Sequence, residues 1–269
     1  MKLFGRTRVL GGVKSVDGYT IIEVMIFLVV SAGLLIAVLG LISGQQQRTR
    51  FITGVNDFDS QIQDMINDVE VGYYPAETIE SAGTNSGRIF LGKAIQFHRN
   101  TATNEVSVYR EMTIEGDATI GTPPRDVSSL SEANPRALAG VESEHQLVNG
   151  VELTSIRYGE SGDISHGFAI VSGISSDGKK SSGSRGLLAR IDINTEGSLP
   201  AVIGSLGTGD PVGDASGGMI FCLREGGGGR VAAVALGMAL ESGSAVSTGQ
   251  RNTTNIYYAD EAEQLGCTG

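Results

Sequence analysis

Histidine and cysteine are scarce, with three and two residues in a chain of 269. His98, His145 and His166 stand far apart and outside any motif, so neither a Ser–His–Asp arrangement nor a metal site finds the clustered donors it needs. Positive charge is also thin: 20 Lys and Arg face 30 Asp and Glu, for a formal net charge of −10. Binding DNA across a broad basic surface depends on neutralising phosphates, and no clustered Lys and Arg stripe offers that, so no nucleic-acid partner is expected. Long apolar runs are rarer still. The chain has one, which excludes a bundle of membrane-spanning helices. Glycine is plentiful at 39 residues, yet it shows no three-residue collagen period and fits many turns instead.

The single apolar run covers 21 uncharged residues, Val24 to Gly44. As a helix it extends about 32 Å, enough to cross a hydrocarbon core of about 30 Å. Lys2, Arg6, Arg8 and Lys14 precede it against Asp17, whereas the far flank offers Arg48 and Arg50. The positive-inside bias puts the short basic leader in the cytoplasm and the remainder outside. A secretory signal would have a shorter core and then a small-x-small cleavage site. Glu23 sits just inside the apolar run, where a carboxylate costs up to about 3 kcal/mol at a helix centre and less near an end, so a partner for it is expected.

From Gln45 onward Phe51, Val55, Phe58, Ile62, Ile66 and Val69 recur every three or four residues, with Asp57, Asp59, Asp64, Asn67 and Asp68 between them. That spacing predicts an amphipathic helix continuing to a glycine stop near Gly72. Gly33, Ala37, Gly40 and Gly44 fall at helical spacing within the apolar half, and small residues let helices approach closely in lipid. Beyond the helix the chain reads as β-rich. Strands are predicted at 88–98, 105–114, 146–158, 167–174, 186–193, 219–224 and 230–236, with Glu225 to Gly229 as a hairpin connection between the last two. Residues 116–144, 175–184 and 194–217, rich in Gly, Ser, Thr and Pro, are expected to be surface loops.

Gly18-Tyr19-Thr20-Ile21-Ile22-Glu23, placed between a basic leader and the apolar run, resembles the amino terminus of type IV prepilins and pseudopilins. The resemblance implies that a prepilin peptidase cuts between Gly18 and Tyr19, reading Thr20, Ile21 and Ile22 as part of its motif, and that Tyr19 becomes N-methylated. It further implies that Glu23 meets the new α-amino group of Tyr19 on its own or an adjacent subunit during assembly. Two positions depart from the family pattern: Asp17 stands where a basic residue is common, and Gly40 lies where many pilins have a helix-disrupting proline.

The same resemblance implies an α+β pilin fold, a long helix laid across an antiparallel β-sheet. Its divisions are a removed leader at 1–18, a helix at 19–72 that spans the membrane at 21–44, and an exported head at 73–269. The implied protein is a structural subunit, in particular a minor pilin because the head is large. It would start in the cytoplasmic membrane and end in an extracellular filament, with other pilin subunits, the peptidase, the membrane and an assembly platform as partners. A pseudopilin of a type II secretion system is the alternative within the class, and a single-pass anchored surface binding protein the alternative outside it. Cys222 and Cys267 would close the end of the head with a disulfide, as in many pilins, worth about 4 kcal/mol in the chain-entropy picture. Asp210 and Asp214 lie in a Gly-rich segment of the kind that binds Ca²⁺ in some pseudopilins, but their spacing matches no EF-hand and turn formation is the favoured reading.

No catalytic residue and no cofactor are expected. Residues 173–180 read GISSDGKK, a near P-loop in which Lys180 takes the place of the Ser or Thr that reaches Mg²⁺. Residues 213–218 read GDASGG, where Ala215 splits the Asp from the Ser of a serine-protease string.

Overall fold

The computed structural model describes residues 20–72, 88–99, 106–117, 119–122, 125–126, 130, 132–158, 163–171, 187–191, 199–204, 218–242, 244–248 and 253–268. Helix α1 (Ile21–Val71) comes first and ends, as its glycine stop predicts, at Gly72, whose φ of +72° suits a residue without a Cβ. Contacts divide the chain into two compact units, Met1–Arg48 and Thr49–Gly269, with the break inside α1.

In the first unit the described residues, 20–48, belong to α1 and its cap. Between Ile21 and Ile42 every large apolar side chain is 44–80% exposed. The start of the helix has a local cause: the Glu23 backbone N–H donates to the Thr20 hydroxyl at 3.3 Å, and the Val24 N–H donates to the Thr20 carbonyl at 3.2 Å. Thr20 is therefore the N-cap, and Thr20-Ile21-Ile22-Glu23 has the spacing of a capping box.

The second unit is built on strands β1 (Arg88–Arg99), β2 (Val106–Asp117), β3 (Thr119–Ile120), β4 (Arg125–Asp126), β5 (Arg136–Gln146), β6 (Val151–Tyr158), β7 (Asp163–Ser165), β8 (Gly167–Val171) and β9 (Leu187–Ile191). After the short helix α2 (Leu199–Gly204) come β10 (Met219–Glu225), β11 (Val231–Leu236), β12 (Met238–Glu241), β13 (Ser244–Ser247), β14 (Thr254–Tyr258) and helix α3 (Asp260–Gln264). The main sheet has the order β14-β11-β10-β6-β2-β1-β8-β9, with β5 on β2 and β7 on β6. Its pairings are antiparallel. The α+β class and the antiparallel sheet thus stand as expected from the sequence.

Strand alternation gives the sheet two apolar faces. On one, Phe51, Val55, Phe58, Ile62, Met65, Ile66 and Val69 of α1 pack on Ile95, Phe97, Tyr109, Leu153, Phe168, Phe221 and Val234. Phe58 sits among Phe97, Tyr109 and Phe221, with ring centroids 5.5–6.5 Å from its own. On the other face, Ile220, Cys222, Val231, Ala233 and Ala235 pack under Ala262 and Leu265. A further cluster gathers Leu91, Ala94, Ile114, Leu130, Ala133 and Ile203.

Several sequence expectations need correction. Residues 116–144, expected as a loop, hold β3, β4 and most of β5. Among the described residues β5 pairs with β2 along one edge only, and its outer residues Glu142, Ser143, Glu144 and Gln146 are exposed, so the strand carries the polar composition of a loop. The strand expected at 146–158 starts at Val151, because Asn149 and Gly150 turn the chain at φ 61° and 71°. Within 194–217 lies α2. Asp59, expected on the polar side of the helix, is only 9% exposed.

Candidate functional site

Thr20 caps α1, Ile21 and Ile22 open it with 80% and 71% exposure, and Glu23 is exposed in its first turn. A carboxylate there is favoured by the unpaired N–H groups of the helix start. A charge at Glu23 is thus favoured by its place in the first turn of the helix alone. Sequence reasoning overlooked this, although the Thr-x-x-Glu string was the signal for it. Gly33, Gly40 and Gly44 have open space around the position of an added Cβ. At 100° per residue, those glycines and Ala37 lie in one arc of about 60°. Gly18 and Tyr19, and likewise Asp210 and Asp214, lie outside the described residues.

The helix is long and apolar enough to cross a membrane, judged on length and composition. Its large apolar side chains are exposed from Ile21 to Ile42, and contiguous exposed apolar surface is of the kind that lipid or a protein partner covers.

In the second unit, polar side chains fasten residues 49–71 to the sheet. Lys93 of β1, with its side chain 10% exposed, donates to Asp68 of α1 at 2.6 Å and to Glu111 of β2 at 2.5 Å. Burial pulls the ammonium toward neutrality, but the hydrogen bonds and charges of the two carboxylates outweigh it and raise its pKa above 10.5. As a paired cation the lysine ties α1 to two strands of the sheet. Beside it, Tyr109 stacks on His145 with centroids 5.0 Å apart and donates its hydroxyl to Gln61 of α1. Burial, and then the Glu111 charge, hold that phenol well above its ordinary range. His145 Nε2 is buried 3.3 Å from Glu111 Oε2 without forming a hydrogen bond.

Cys222 and Cys267 are joined, across a sequence separation of 45, on the sheet face away from α1. β10 presents Cys222 on that face, and α3 with the turn after it brings Cys267 over it. Arg157 donates to the Gly266 carbonyl at 2.6 Å and holds this turn in place.

Among the described residues, no group of three or more His, Cys, Asp and Glu converges as metal ligands would. His166 and His145 sit on different strands or turns, and residues 173–180 lie outside the described residues. Comparison of the chain with protein-family models, with curated proteins and with solved structures finds no match.

Proposed function

We propose that this chain is a pilin-class structural subunit, most closely a minor pilin, processed between Gly18 and Tyr19 and assembled through α1 into a filament. The observation that carries the reading is a carboxylate, Glu23, in the first turn of an exposed apolar helix directly after the Gly18 junction. Cleavage would free an α-amino group on Tyr19, and this amine would meet Glu23 of its own or a neighbouring copy. Further support comes from the amphipathic continuation of α1 on an antiparallel sheet and from the Cys222–Cys267 closure of the carboxyl terminus. The partners in this reading are other pilin subunits, the prepilin peptidase, the membrane and the assembly platform. A pseudopilin of a type II secretion system would share every one of these features, and localisation of the assembled protein separates the two.

The capping box favours a second reading, a plain single-pass anchor in which Glu23 merely steadies the helix start. Glutamine serves in a capping box as glutamate does, but carries no charge. Glu23→Gln is therefore expected to leave cleavage intact and to lower recovery of the chain in sheared filaments; unchanged recovery would favour the anchor. The amino-terminal sequence and intact mass of membrane-extracted protein, with and without the peptidase, provide the primary test. N-methylated Tyr19 appearing only with the peptidase is expected, and a chain still beginning at Met1 under both conditions would overturn the proposal.

A further inference from the structure

Charge is segregated along α1 in a way that the described residues of one copy do not use. Arg50, Asp57 and Asp64 stand at intervals of seven residues and so form one ridge, drifting about 20° per step on a straight helix. Arg50 and Asp64 are exposed, and among the described residues neither makes an ion pair. Asp57 is half-buried and, among the described residues, accepts one hydrogen bond, from Asn149 at 3.3 Å. Seven residues of helix is about 10.5 Å, too far for Arg50 to reach Asp57 within its own chain. No Lys or Arg occurs between Phe51 and Gly87, and the next two bases along the chain are occupied, Arg88 by Glu115 and Lys93 by Asp68 and Glu111.

From this we infer that the ridge docks against α1 of a second copy, parallel and shifted by seven residues, so that Arg50 of one copy pairs with Asp57 of the next. The inference rests on the filament reading above. Copies inserted by the same terminus run parallel, and a shift of seven residues, about 10.5 Å, is the smallest that sets this base against an acid on the same ridge. The next match, Arg50 with Asp64, requires twice that shift. A zero shift sets Arg50 against Arg50 and Asp57 against Asp57, which like-charge repulsion disfavours. The partner is therefore a second copy of this chain, and the charge ridge sets the axial register beyond the apolar half.

The test uses the full-length protein in its native membrane with the peptidase present. Arg50→Cys combined with Asp57→Cys, oxidised mildly and run without reductant, is expected to give a ladder of covalently joined copies. Co-expressed single-cysteine chains should give dimers only. Arg50→Asp should lower recovery in sheared filaments roughly fivefold or more, the equivalent of about 1 kcal/mol per contact, and adding Asp57→Arg should restore it. If sheared filaments contain the chain while the cysteine pair gives no ladder and charge reversal has no effect, the register is overturned and the filament reading stands. If the chain enters no filament, both fall.

Discussion

Lys93 carries one positive charge against the carboxylates of Asp68 and Glu111, and the balance depends on keeping all three. Lys93→Met preserves the stem's packing but leaves two acids facing one another. Asp68 is partly exposed, so the expected loss is about 3 kcal/mol, the lower end of what breaking a buried pair costs. Chemical denaturation near neutral pH measures it. The pH dependence has a definite sign. The folded pKa of Lys93 lies above its ordinary 10.5, so its contribution is complete below that value and fades as pH rises through the folded pKa. Tyr109 and Tyr258, also raised, act in the same direction because folding disfavours their phenolates. The wild-type melting temperature should therefore fall on moving above about pH 10.5, and that fall should be shallower in Lys93→Met; an equal fall in both would remove Lys93 from the account.

Among the elements, α1 and the turn before β6 touch through a glycine. A Cβ on Gly54 would lie 2.5 Å from Val151 Cγ2 and 2.8 Å from the Val148 carbonyl oxygen. Alanine is the better helix former by about 1 kcal/mol. The clash involves backbone as well as a side chain, however, so overpacking should prevail, and Gly54→Ala is expected to destabilise by about 1–2 kcal/mol in thermal or denaturant unfolding. The Cys222–Cys267 bond ties the α3 turn to β10. Replacing both cysteines by alanine should cost about 2–4 kcal/mol, again read by unfolding. Arg157 still binds the Gly266 carbonyl in that variant, so the turn should loosen without the sheet coming apart.

Across the full chain, the decisive boundary falls between residues 48 and 49, within α1. Residues 49–71 bury seven large apolar side chains, from Phe51 to Val69, in the main core. At about 1.5–3 kcal/mol each, these contribute on the order of 10–20 kcal/mol, comparable to or larger than the stability of an ordinary domain. A fragment 49–269 should accordingly fold and unfold cooperatively as a soluble protein, while 73–269 should not hold a native structure. Circular dichroism and size exclusion on the two fragments check this, and a cooperatively folded 73–269 would refute it. The apolar residues of the first unit stay exposed in the single chain, so unfolding of the fragment 49–269 does not report on them.

The helix and its outer limit were legible in the sequence, because hydrophobic periodicity and a glycine stop are local signals that tertiary contacts here reinforce; the Thr-x-x-Glu start was equally local but was overlooked. Also legible were seven of the fourteen strands of the described residues, β1, β2, β6, β8, β9, β10 and β11, whose apolar content is visible without partners, whereas the short β3, β4, β7, β12, β13 and β14 were not. Pairing was not legible and needed the folded chain. β5 is a strand because β2 offers it an open edge, although its exposed residues read as a loop. The Lys93, Asp68 and Glu111 cluster joins residues far apart in the chain, and Asp59 lies in the interior against its own polarity. Local patterns record which side of an element avoids water, whereas strand edges and buried charges are settled by what another part of the chain brings to them.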